Sequence, residues 1–99
     1  MANICTNLVY AELQTENNAK RFEEWLEDEF GSYDMDKIDE FAYEVLIDSR
    51  WTFPEEEFKE LTDSLPDKVD DIYIRCLSYE LGCYYHALWL YEDNEWTEV

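Results

Sequence analysis

The sequence is short of positive charge. Its 99 residues carry 7 Lys plus Arg against 26 Asp plus Glu, a formal net charge of −19 at pH 7. A chain so charged repels itself on compaction, and it excludes direct binding of nucleic acid or of an anionic membrane through a broad basic face. The partner that suits it is basic. Glycine and proline are also scarce, two of each, and there are no internal repeats or low-complexity linkers. No run of 18 apolar residues occurs, and the opening MANICTNLVY lacks the basic and long apolar regions of a signal peptide. The chain therefore reads as soluble and cytoplasmic, with no membrane partner.

Three cysteines, Cys5, Cys76 and Cys83, are an odd number without a C-x-x-C pair. That signals neither a disulfide framework nor a zinc site. Reduced, mostly buried thiols are expected, although Cys76 and Cys83 flank a hairpin turn and are placed to pair on oxidation. Histidine occurs once, as His86 in an apolar aromatic segment, where it reads as a packed or hydrogen-bonded ring. Catalysis by an activated nucleophile needs at least two positioned partners, and no G-x-S-x-G, P-loop or H-E-x-x-H pattern supplies them. No catalytic residue and no cofactor are expected, so the chain does not read as an enzyme. Asp34-x-Asp36 with Asp39 and Glu40 resembles the front of a calcium loop, but Ile38 and Asp39 stand where a ligand and a glycine are needed. The segment reads as an acidic loop with at most weak divalent-cation binding, and no metal site is expected.

What is present is enough to fold. Hydrophobic residues make up 46% and aromatics 17%, above what a solvating acidic tail carries, so residues 1–99 are expected to form one domain. ICTNLVYAEL alternates as a first strand, with Ile4, Thr6, Leu8 and Tyr10 on one side and Cys5, Asn7, Val9 and Ala11 on the other. Thr15 opens a helix to about Phe30, with Gly31 as the stop. GSYDMDKIDE is a turn-rich charged connection, and FAYEVLID a second strand. Thr52 with Glu55 fits a capping box and Pro54 a first helical turn, predicting a second helix to about Ser64 with Phe58, Leu61 and Leu65 inward. Two further alternating runs meet around Leu81 and Gly82 as a hairpin. Strand, helix, strand, helix, strand, strand implies an α+β sandwich: an about four-stranded, mainly antiparallel sheet with both helices on one face.

Ala2-Asn3-Ile4-Cys5-Thr6-Asn7, Trp51-Thr52-Phe53-Pro54, Leu65-Pro66-Asp67 and Tyr79-Glu80-Leu81-Gly82 together resemble the YubB ferredoxin-like family of small phage and plasmid proteins. The marks span nearly the whole chain. The family often has Trp at the position of Ile4, and usually a longer connection between the first helix and the second strand. The resemblance implies a ferredoxin-like sandwich and a mobile-element origin, and it brings no catalytic residues.

Tyr73 and Tyr79, with Trp89 and Tyr91, would make a stacking platform on an open sheet face, as in some RNA-binding domains. The charge opposes RNA, which leaves these rings to complete the fold or to bind protein. The carboxylates remain. Residues three or four apart on a helix lie about 5–6 Å apart between Cβ atoms, so Glu23–Glu27, Glu24–Asp28, Glu56–Glu60 and Glu60–Asp63 form rows of negative charge with a spacing like that of phosphates. Such like-charge pairs weaken a helix, and only Lys20, Arg21 and Lys59 offset them. The expectation is an acidic nucleic-acid mimic from a phage or plasmid. It would block the DNA- or RNA-binding channel of a basic host defence protein, a CRISPR effector or a restriction enzyme. Its binding residues would be Glu23, Glu24, Glu27, Asp28, Glu55, Glu56, Glu60 and Asp63, with Tyr73 and Trp89 as aromatic anchors. The alternative is an interaction module that self-associates, as a homodimer or larger assembly, through its aromatic sheet face.

Overall fold

The computed structural model describes residues 4–99, the Cys83 side chain excepted. In chain order the elements are β1 (Ile4–Glu12), α1 (Glu16–Glu29), β2 (Asp34–Asp39), β3 (Ala42–Arg50), α2 (Glu55–Ser64), β4 (Tyr73–Glu80), a 3-10 turn (Leu81–Cys83), β5 (Tyr85–Glu92) and β6 (Glu95–Glu98). The strands form one antiparallel sheet in the order β2-β3-β1-β4-β5-β6. Each helix crosses over one intervening strand: α1 carries the chain from β1 past β3 to β2, and α2 from β3 past β1 to β4. The expected α+β class holds, with six strands instead of about four.

Both additional strands have physical reasons for escaping a hydrophobic pattern. β2 lies inside GSYDMDKIDE, expected to be a loop, and all its side chains are exposed; it pairs with β3 alone, with a register shift between Lys37 and Asp39. Backbone hydrogen bonds hold it, so it carries no apolar alternation. β6 returns along β5 through Asp93 and Asn94, whose φ angles of 53° and 61° are those of a tight type I′ hairpin.

Alternation decides which face is covered. Cys5, Asn7, Val9 and Ala11 of β1, Tyr43, Val45 and Ile47 of β3, and Ile74, Cys76 and Ser78 of β4 are buried beneath the helices. Phe22, Trp25 and Leu26 of α1 and Phe58 and Leu61 of α2 meet them from above. Helix α1 begins as its sequence predicts: Thr15 Oγ1 accepts from the Asn18 amide at 3.1 Å, and Gly31 ends the helix at φ 65°. Helix α2 differs from expectation. Pro54 occupies the N-cap position, no side chain caps the helix, and the Thr52 hydroxyl donates to the Phe53 carbonyl at 3.4 Å instead. The capping box is not formed, because Thr52 stands two residues ahead of the cap and its hydroxyl is drawn into the preceding turn.

The expected aromatic platform is also corrected. Cys76 pairs with Trp89 and Ile74 with Tyr91, and directly paired residues share a face, so Trp89 and Tyr91 lie on the helix side while Tyr73 and Tyr79 lie on the other. Phe53 lies between Phe58 and Trp89, stacking on both at 5.0 and 4.9 Å, and Trp96 of β6 closes the cluster at 5.5 Å from Phe58. His86, expected to be a packed or hydrogen-bonded ring, is exposed on the open face opposite Tyr79. Cys5 and Cys76 are buried thiols, as expected, and burial pushes the Cys76 thiol up to about 12; the alternative of a Cys76–Cys83 pair on oxidation involves a side chain outside the described residues.

Candidate functional site

Helices α1 and α2 lie side by side and antiparallel. Trp25 Nε1 donates to the Glu57 carbonyl at 3.0 Å, Arg21 Nε donates to Ser64 Oγ at 2.8 Å, and the Trp25 and Phe58 rings meet edge-on at 4.9 Å. This seam turns both polar faces outward together. Glu23, Glu24, Glu27, Asp28, Glu55, Glu56, Glu60 and Asp63, the eight acidic residues expected to bind, are all exposed on the two helices. Of the three bases on the two helices, Arg21 is engaged with Ser64, and Lys59 pairs with Glu55 at 2.6 Å in an ion pair about half exposed. An exposed pair of this kind contributes little stability. Lys20 is the third, at the opposite end of α1 from Glu27 and Asp28.

Two of the carboxylates are held in place by phenols. The Tyr43 hydroxyl, rising from β3, donates to Glu23 Oε2 at 2.7 Å, and the Tyr33 hydroxyl donates to Glu27 Oε1 at 2.5 Å. Burial raises the Tyr43 phenol well above its ordinary range and the bond to Glu23 adds to this; for Tyr33 the bond to Glu27 is the main cause of the rise. Each phenol thus donates to one carboxylate of the Glu23–Glu27 row.

The helix dipoles separate the acids into two kinds. Glu55, Glu56 and Glu57 occupy the first turn of α2, where negative charge meets the positive end of the dipole and stabilises the helix. Glu27, Asp28 and Glu29 occupy the last turn of α1, which contains no base. There each carboxylate faces the negative end of the dipole and costs on the order of 0.3–1 kcal/mol at an exposed site. The N-terminus of α2 lies alongside and offsets some of this. Fold stability accounts for the first group and not for the second.

Between these helix ends opens a cleft of about 700 Å³ lined by Glu29, Phe30, Asp48, Ser49, Arg50, Thr52, Phe53, Pro54 and Glu55–Glu57. The cleft combines the phenyl rings of Phe30 and Phe53 and the carboxylates of Glu29, Asp48 and Glu55–Glu57 with one basic side chain, Arg50.

The two expected aromatic anchors do not join this surface. Tyr73 is on the far face of the sheet, 6.3 Å from Tyr10, and Trp89 is half-buried against Phe53. The aromatic residues that line the cleft are Phe30 and Phe53, and between two other lining residues stands the exposed Trp51. It is 49% exposed, sits between the lining residues Arg50 and Thr52, and holds φ at 70°. A bulky residue in the left-handed region is strained. The turn is fixed by Ser49 Oγ donating to the Thr52 carbonyl at 2.7 Å and by the Thr52 amide donating to Arg50 O at 2.7 Å. The W-x-x-P motif marked this residue in the sequence, but its left-handed backbone and its place beside the cleft have no sequence signal.

Among the described residues, no group of three or more His, Cys, Asp and Glu side chains is arranged to hold a metal ion, and no helix is long and apolar enough to cross a membrane. Comparison of the chain with protein-family models, with curated proteins and with solved structures finds no match.

Proposed function

We propose that this protein is a non-catalytic nucleic-acid mimic, encoded by a phage or plasmid, that occupies the basic DNA- or RNA-binding channel of a host defence protein such as a CRISPR effector or a restriction enzyme. The observation that carries the reading is the acidic last turn of α1. Glu27, Asp28 and Glu29 oppose their own helix dipole beside Glu55–Glu57, an arrangement unfavourable for the free protein and favourable once Arg and Lys of a partner fill the cleft. Phenol-anchored Glu23 and Glu27 extend the row, and Trp51 takes the part of the aromatic anchor in place of Tyr73 and Trp89. In this reading the two crossovers and the order β2-β3-β1-β4 are a ferredoxin-like sandwich lengthened by β5 and β6, in keeping with the YubB resemblance.

The test is inhibition of purified host CRISPR effectors and restriction enzymes, with DNA binding and cleavage as readouts. Inhibition should be competitive with DNA and should weaken at least about tenfold between roughly 50 and 200 mM salt. The variant E23Q/E24Q/E27Q/D28N should lose it. Inhibition that ignores ionic strength would sink the mimic model. The alternative, self-association through an aromatic sheet face, loses Trp89 to the helix side and retains Tyr73 and Tyr79.

A further inference from the structure

The sheet face opposite the helices carries a row of leucines running across the strands. Leu46 of β3 pairs with Leu8 of β1, Leu8 with Leu77 of β4, and Leu77 with Leu88 of β5. Leu46, Leu8 and Leu77 are 38%, 44% and 40% exposed, too much for a core and too continuous for scattered surface residues. Leu46, Leu8 and Leu77 are the floor of a shallow groove of about 510 Å³, and Leu88 continues the row beyond it.

The charge around the row is one-sided. Asp34 of β2 pairs with Leu46 and continues the row at its β2 end; Asp36 and Glu44 flank it on one side, and Asp48 stands two residues along β3 on the other. Arg75, a base that itself lines the groove, is drawn over the Tyr10 ring at 5.0 Å, and the Tyr10 hydroxyl donates to Glu12 at 2.8 Å, so acidic residues outnumber it there. Toward β5 the row is flanked by His86 and Leu90, so its carboxylates are gathered at the β2 and β3 end.

We infer that this groove docks an amphipathic helix of a partner protein, with leucine-like anchors along one stripe and Lys or Arg flanking the half that lies over β2 and β3. Geometry supports a helix: neighbouring strands are about 4.8 Å apart, so the row offers one leucine per step of nearly a helical turn, about 5.4 Å. Anchors at i, i+4, i+7 and i+11 would each meet one leucine. Charge selects a basic occupant. A second copy of this chain would bring Asp34, Asp36, Glu44 and Asp48 against their counterparts, with −19 on each molecule. The groove is on the opposite side of the sheet from the helix carboxylates and does not depend on them.

The experiment titrates isotope-labelled full-length protein with a 15-residue synthetic peptide. It carries Leu at i, i+4, i+7 and i+11 and Lys beside the first two, and a scrambled peptide of the same composition is the control. The expected result is amide shifts centred on Leu8, Leu46 and Leu77, with the scrambled peptide at least about tenfold weaker. L8Q/L77Q should weaken binding by at least about tenfold, and E23Q/E24Q/E27Q/D28N by no more than about threefold. Shifts centred on α1 and α2, equal binding of the scrambled peptide, or concentration-dependent dimerisation through the leucine face in sedimentation would each overturn the inference. If L8Q/L77Q fails to fold, the shift map and the scrambled peptide decide.

Discussion

Asn7 is wholly buried in β1, and its amide ties three strands together. Nδ2 donates to the Ile47 carbonyl at 3.1 Å and to Ser49 Oγ at 3.0 Å on β3, while Oδ1 accepts from Ser78 Oγ on β4 at 2.6 Å. Removing it strands buried partners, which costs more than the bonds themselves contribute. Asn7→Ala should lower unfolding free energy by about 2–3 kcal/mol, measured by urea denaturation. The alkaline limb of stability also belongs to single residues. Burial raises the Cys76 thiol from an ordinary 9.0 to about 12 and lifts the Tyr43 phenol above its ordinary 10.0. Below pH 9 both groups are protonated in the folded and unfolded chain, and their contribution is fully present. Above it the unfolded chain loses these protons first, so stability falls as pH rises toward the folded values. Thermal melts should show this decline from about pH 9 upward, shallower in Cys76→Ala and in Tyr43→Phe.

Short as it is, β6 holds part of the core. Trp96 Nε1 donates to Thr62 Oγ1 at 3.0 Å, and its ring meets Phe53, Phe58 and Tyr91 at 5.9, 5.5 and 5.3 Å. Trp96→Ala should cost about 3 kcal/mol by the same denaturation measurement, an effect a frayed terminal segment would not show. The elements that were legible in the sequence are those whose burial writes a period: β1, β3, β4, β5 and the inner stripes of both helices. β2 and β6 have one paired edge each and little or no buried surface, so composition alone made β2 a loop. The Asp93–Asn94 pair was a usable turn signal for β6, because both residues tolerate positive φ. The acidic helix surface was equally legible, since α-helical spacing fixes which carboxylates share a face. Its aromatic neighbour was not. Whether Trp89 or Trp51 faces outward depends on cross-strand register and on a left-handed turn, and neither leaves a mark in local sequence.

At the scale of the whole molecule, charge opposes folding and, in the proposed function, favours binding. A net −19 repels itself within one 12.0 kDa domain. Added salt shortens the Debye length from about 10 Å at 0.1 M to about 3 Å at 1 M, which should raise the melting temperature of the free protein while weakening its complex with a basic partner. Opposite signs in the two measurements would separate a surface built to bind from one that only solubilises. The sheet ends bear on the same balance. β2 and β6 leave their outer backbone groups without a strand partner among the described residues, and a β2 edge of one copy meeting a β6 edge of the next is a head-to-tail contact that need not close. Asp34, Asp36 and Asp39 line one end, Glu95 and Glu98 the other. Near the isoelectric point of about 4.1 that repulsion vanishes; the acidity proposed to draw a basic partner would act, toward other copies of the chain, as a chain terminator for polymerisation.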